Sequence, residues 1–226
     1  MSSLSRILFI VSVFGAGSLL AQQQAQQTSE ESGRLLWLFP NFRTVTSTRN
    51  FHPLTTEQKF RLATTQTFDR GNIALVGLIS GFGELTHAEP SFGQGFAGYA
   101  RYYGTTYASL TIGNYLTQAV YPTLFHQDPR YFRKGTGGWS RVGYALSQVF
   151  WTYSDRGVRE FNYSQVLGLC STVAITRAYY PDRRTAYYAS ERLGVGLGLD
   201  MLSNVLKEYW PDIDRKLLRR HERAIP

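Results

Sequence analysis

The sequence predicts an all-α protein, a compact helical bundle whose helices pack through glycine and other small residues. Three observations predict it. Residues 193–209 repeat at the helical period, with Leu193, Leu197, Met201, Val205 and Tyr209 on one face and Gly194 and Gly198 beside them. Residues 74–79 form a continuous apolar run rather than the alternation of a half-buried strand. Tyr180-Pro181-Asp182 and Trp210-Pro211-Asp212 each follow a helical pattern, and there Pro is expected to stop one helix and Asp to cap the next. An outer-membrane β-barrel is the competing architecture. Gly and Tyr are abundant, and Leu110, Ile112, Leu116 and Val120 alternate with Thr and Tyr.

The chain divides into four parts. Residues 1–21 have the layout of a secretory signal peptide: Arg6, then apolar and small residues over 7–20, then Ala21 at the expected cut. The apolar stretch is shorter than the roughly 20 residues of a membrane span. Residues 22–33 read as a flexible polar tail. Residues 34–54 begin with RLLWLFPNF, where Pro40 forbids a long helix, so the segment is expected to be an extended aromatic strap. Residues 55–226 form the helical domain.

Within that domain, Thr55 and Gln58 make a capping box, and Phe60, Ala63 and Thr67 follow on one face. A second helix is expected over residues 72–87, with Gly77 and Gly81 spaced for close backbone approach. Residues 102–127 carry no formal charge apart from the titratable His126, and Pro122 should kink or end the helix there. Residues 142–154 and 161–176 are two further uncharged stretches, and residues 193–209 supply the last main helix. Residues 215–223 make a basic amphipathic end.

Composition bounds the function. With 226 residues, 43% hydrophobic and 15% aromatic, the chain can build a core. One Cys excludes an internal disulfide framework and a thiolate-rich zinc site, and Cys170, among Leu169, Val173 and Ile175, reads as a buried inert thiol. The net charge is +8 and most of the 24 cations are Arg, which suits phosphate and carboxylate recognition. For an exported chain the available polyanions are an envelope membrane or an anionic envelope polymer, not nucleic acid.

Candidate sites are few. His126-Gln127-Asp128-Pro129-Arg130-Tyr131 is the densest polar cluster. His126 could move protons, Asp128 orient it and Arg130 clamp an oxyanion. The structural reading has Asp128 capping a helix and Arg130 bonding carbonyls at a helix end. Arg130, Tyr131, Asn162, Asp200 and Asn204 are the candidate binding residues. Asp200, Asn204 and Glu208 form a polar stripe at four-residue spacing, and any of them that is buried needs a partner, with Arg the obvious one. Glu84 and His87 form a lone E-x-x-H without the second copy a di-metal bundle requires, so no metal is expected. No motif calls for a cofactor.

The runs at residues 92–99, 113–114, 126–132, 161–164, 179–181 and 207–212 resemble a family of exported envelope proteins of acidobacteria-type soil bacteria. The resemblance spans about residues 34–216. It implies an exported protein and assigns no activity to any residue. The expected function is a non-enzymatic, membrane-associated protein of the periplasm or outer membrane. A small hydrolase or lipid-modifying enzyme centred on His126, Asp128 and Arg130 is the alternative.

Overall fold

Thr55 starts the first helix by the reciprocal bonds its sequence promises: its hydroxyl accepts from the Gln58 N–H at 3.2 Å, and the Gln58 side chain accepts from the Thr55 N–H at 2.9 Å. The helix, α1, covers Thr56–Thr67 and turns its buried residues Lys59, Ala63 and Thr67 inward. The computed structural model describes residues 44–45, 51–180, 182 and 185–222. The expected signal peptide, the polar tail and the RLLWLFPNF segment lie outside these. From the 34–54 strap, Thr44–Val45 forms strand β1.

Helix α2, Arg70–Leu85, begins two residues before the expected start because Asp69 caps it, accepting from the Gly71 N–H at 2.8 Å. A 3₁₀ turn at Pro90–Phe92 leads to α3, Gly95–Tyr115. A π-helical segment, Leu116–Val120, joins it to the short α4, Tyr121–Leu124. Pro122 has no N–H to give the preceding turn, and the widened turn absorbs that break instead of ending the helix. Strand β2 is Tyr131–Phe132, α5 is Gly138–Ser147, β3 and β4 are Trp151–Tyr153 and Arg159–Phe161, α6 is Tyr163–Thr176 and α7 is Ala186–Glu222.

The architecture is therefore mostly α. Among the described residues the strands make two two-stranded pieces, parallel β1–β2 and antiparallel β3–β4, and no barrel. The alternation at residues 110–120 is thus an accident of small polar residues on a helix. Helices α2, α3, α6 and α7 pack in succession, and α5 packs on α7. The side chains sealed inside are mostly small: Ala63, Val76, Ala119, Ala145 and Val149, with Phe132 the largest apolar one.

Close helix packing is real but shifted in register. A Cβ on Gly168 of α6 would lie 2.6 Å from Thr117 Cγ2, and one on Gly196 of α7 would lie 2.8 Å from Leu169 Cδ1. Gly194 and Gly198, the expected contact pair, face open space. The expected face of residues 193–209 does turn toward the bundle, so the glycines beside it fall off the seam by one position. Gly198→Ala is accordingly expected to stabilise the protein by about 0.8–1 kcal/mol through helix propensity. Gly98→Ala should destabilise it by about 1–3 kcal/mol, because the new Cβ would lie 2.5 Å from the Gly93 carbonyl oxygen. Thermal melts of the two variants should move in opposite directions, and parallel shifts would contradict this packing.

Two further expectations are corrected. Helix α7 runs straight through Pro211, so Trp210-Pro211-Asp212 is not a boundary. A proline opens the hydrogen-bond ladder one turn back, here at the Lys207 carbonyl, and the next carbonyl along, that of Glu208, is held from outside the helix by Arg133 Nε at 2.8 Å and Arg141 Nη2 at 2.6 Å. Cys170 is exposed rather than buried, because α6 turns Gly168, Val173 and Thr176 inward instead.

Candidate functional site

The turn after α4 builds the site. His126 sits at φ 54°, a left-handed conformation that reverses the chain directly behind the helix. Gln127 is fully buried, and both ends of its amide are satisfied. Its Nε2 donates to Glu160 Oε1 and the Phe161 carbonyl, and its Oε1 accepts from the Ser164 N–H and hydroxyl. This pin ties the turn to β4 and the start of α6.

Asp128, 1% exposed, neither caps a helix nor orients His126. Its Oδ1 accepts from the Arg130 N–H at 2.9 Å and from Nε at 3.0 Å, and its Oδ2 accepts from Arg130 Nη2 at 2.7 Å. Arg130 Nη2 also donates to the His52 carbonyl at 2.7 Å. The guanidinium thus staples the His52 backbone, just ahead of α1, to the turn, in place of the helix-end carbonyls expected for it. His126 is exposed, and the Asp128 carboxylate is taken by Arg130 rather than by His126, so the expected orientation of His126 by Asp128 is not formed.

Arg130, Tyr131, Asn162, Asp200 and Asn204 do converge. All five line one cleft of about 40 Å³, between the β2 turn, the start of α6 and the middle of α7. Asn162 caps α6, accepting from the Gln165 N–H at 3.0 Å. Gln165 Nε2 in turn donates to Asp200 Oδ2. His126 is not in the cleft wall, and the sequence reading missed Gln148, Trp151 and Lys207, which are. Gln148 and Trp151 lie in an uncharged stretch where nothing local separates a lining residue from a packing one. Lys207, three residues after Asn204 on α7, had helical spacing as its one available signal.

Behind the cleft lies a buried ionic knot. Glu208 is 0% exposed. It accepts from Tyr131 Oη at 2.8 Å, the Lys134 N–H at 3.0 Å, the Gly135 N–H at 2.9 Å and Arg141 Nε at 2.8 Å. Arg133 and Arg141 also reach Asp212 at 2.6 and 2.7 Å, and Arg141 lies over the Tyr209 ring at 4.3 Å. Burial alone would raise the Glu208 pKa. The bonds from Arg141, Gly135, Tyr131 and Lys134 overcome that and hold it below the usual carboxylate range. Tyr131 is pushed well up, first by burial and then by its bond to the anion, so it stays a donor. Burial also pushes neighbouring Tyr144 up, to about 12. The polar stripe of α7 therefore has two destinations: Asp200 and Asn204 line the cleft, and Glu208 holds the wall that carries Tyr131.

Among the described residues, no group of three or more His, Cys, Asp and Glu side chains is placed to hold a metal ion. No family model, curated protein or solved structure matches the chain.

Proposed function

We propose that this is a non-enzymatic, membrane-associated protein of the bacterial cell envelope, exported through its N-terminal segment and seated on lipid by the outer faces of its helices. The observation that carries this reading is apolar exposure at helical spacing. Leu78, Phe82 and Leu85 stand exposed along α2, and Val195, Leu199, Leu202 and Leu206 along α7. Both rows stand open among the described residues, α2 packing on α3 and α7 on α5 and α6 through their other faces. A protein in water rarely leaves such rows bare. Among the described residues no helix is long and apolar enough to cross a membrane, which fits seating at the interface. The net charge of +8 adds attraction to anionic headgroups. The resemblance to exported envelope proteins points the same way.

Vesicle flotation tests this. The protein is expected to float with phosphatidylcholine vesicles, and more completely when phosphatidylglycerol is included, with salt removing only the increment. Burying one Leu or Phe contributes about 1.5–3 kcal/mol. Phe82→Glu should therefore weaken partition by roughly tenfold or more, with melting unchanged because the side chain touches solvent. A wild-type chain that stays unbound as a monomer would overturn the proposal. A wild-type dimer that stays unbound would instead assign these faces to a second copy.

A further inference from the structure

The outer face of α6 is apolar wherever it is open. Its exposed positions are Tyr163, Leu167, Cys170, Ala174 and Ile175, with no Asp, Glu, Lys or Arg among them. A helix that faces water carries polar and charged groups on its open side, and α1 does: Glu57, Gln58, Arg61 and Thr65 stand outward there. The α6 row is also separate from the α7 row. Leu169 of α6 meets Gly196 of α7, and Gln165 bonds Asp200, so the two helices run antiparallel. At about 100° per residue, Tyr163, Leu167, Cys170 and Ala174 lie roughly 100–160° round from Leu169 in the direction of increasing residue number. Val195, Leu199, Leu202 and Leu206 lie roughly 60–120° round from Gly196 in the opposite sense. Between antiparallel helices, opposite senses open on opposite sides. The two rows therefore face away from each other across the α6–α7 contact.

We infer that the lipid seat is an immersion: the α6 row lies among acyl chains together with the α7 row, and the Cys170 thiol stands in hydrocarbon. A membrane touched by one flat face covers one side of the α6–α7 contact, whereas acyl chains that surround the helices cover both. Lipid rather than a protein partner is the occupant, because a single partner would have to wrap two opposed rows, and lipid does so without any matching shape. The polar face of α1 stays in water. This inference rests on the seating reading and adds its depth. It requires no helix to cross the membrane, and it makes the protein integral rather than surface-bound.

Cys170 is the single Cys of the chain, so its reaction with a membrane-impermeant maleimide tests the immersion. The full chain is bound to phosphatidylcholine–phosphatidylglycerol vesicles, and labelling is compared with the chain unfolded in urea. Cys170 should react at least about tenfold more slowly on vesicles, because the reactive thiolate does not form in hydrocarbon. Thr65→Cys in a Cys170→Ala chain reports on α1 and should react near its unfolded rate. The bound protein should also resist extraction by alkaline carbonate. A chain that floats with vesicles while Cys170 reacts as fast as the α1 reporter would overturn the immersion and leave seating through α2 and α7 standing. Release by carbonate, or equal protection of the α1 reporter, would overturn it as well. Protection that fades as the bound protein is diluted over more lipid would assign the α6 face to a second copy, against the inference. A chain that does not float at all would end both readings.

Discussion

Glu208→Ala is expected to cost the protein about 3–5 kcal/mol, a large share of the roughly 5–15 kcal/mol that holds a domain folded. The carboxylate is fully buried, and four groups donate to it. Its removal leaves the Tyr131 hydroxyl and the Lys134 and Gly135 N–H groups without their acceptor. Arg141, 11% exposed, keeps Asp212, 27% exposed, as a counter-ion. Glu208→Gln should cost less, since the amide oxygen still accepts from part of the set. Urea titration followed by circular dichroism measures both. A Glu208→Ala midpoint at the parent's value would show that the knot contributes nothing.

The same group sets an acid limit. Its folded pKa is depressed below an unfolded value of about 4.3. The folded state therefore binds fewer protons than the unfolded state in that window. The stabilisation is fully present above the unfolded pKa and is lost as pH falls through the folded one. Acid unfolding of the parent should steepen below about pH 4, and Glu208→Gln should show a shallower acid limb. An unchanged limb in the variant would assign acid sensitivity to other carboxylates.

What the sequence made legible was local. The Thr55–Gln58 box needs four residues and appeared as written. The inward face of residues 193–209 followed from period alone, and the need of a buried α7 carboxylate for Arg followed from electrostatics. The misreadings came from tertiary context. Pro211 reads as a stop in isolation, yet α7 continues through it, and Arg133 and Arg141, some 70 residues away in sequence, hold the neighbouring Glu208 carbonyl from outside the helix. Gly198 has the right spacing for contact, but Gly196 meets Leu169 because the facing helix decides the register. The His126–Arg130 cluster was read as one unit. The fold separates it, sending Gln127 and Asp128 into the interior, His126 to solvent and Arg130 to the cleft. Gln148 carries no mark in the sequence at all, since an unpaired buried amide is visible only once its surroundings are known.

Lys59 is the second large effect, and its expected signature is an asymmetry between the two partners. The side chain is 2% exposed, and its ammonium makes three bonds: to Asp155 Oδ2 at 2.7 Å, Asp155 Oδ1 at 2.9 Å and the Pro122 carbonyl at 3.1 Å. An ammonium has three donors, so all are used. They join α1 to the kinked end of the α3–α4 helix and to the β3–β4 turn. Removing one partner of such a pair costs about 3–5 kcal/mol when the other stays buried and charged. The partners differ in that respect, since Asp155 is 24% exposed. Asp155→Ala strands a sealed ammonium and should fall at the upper end. Lys59→Met keeps the apolar stem and strands a carboxylate that water can reach, so it should fall at the lower end, about 3 kcal/mol. The double variant Lys59→Met/Asp155→Leu should lose less than the sum of the two, because neither charge is then left alone. Chemical denaturation of the three variants measures the order. Equal costs for the two single variants would mean that burial of the charge left behind does not govern the loss. A Lys59→Met midpoint matching the parent would place this pair with exposed ion pairs, whose contribution is about 0–1 kcal/mol.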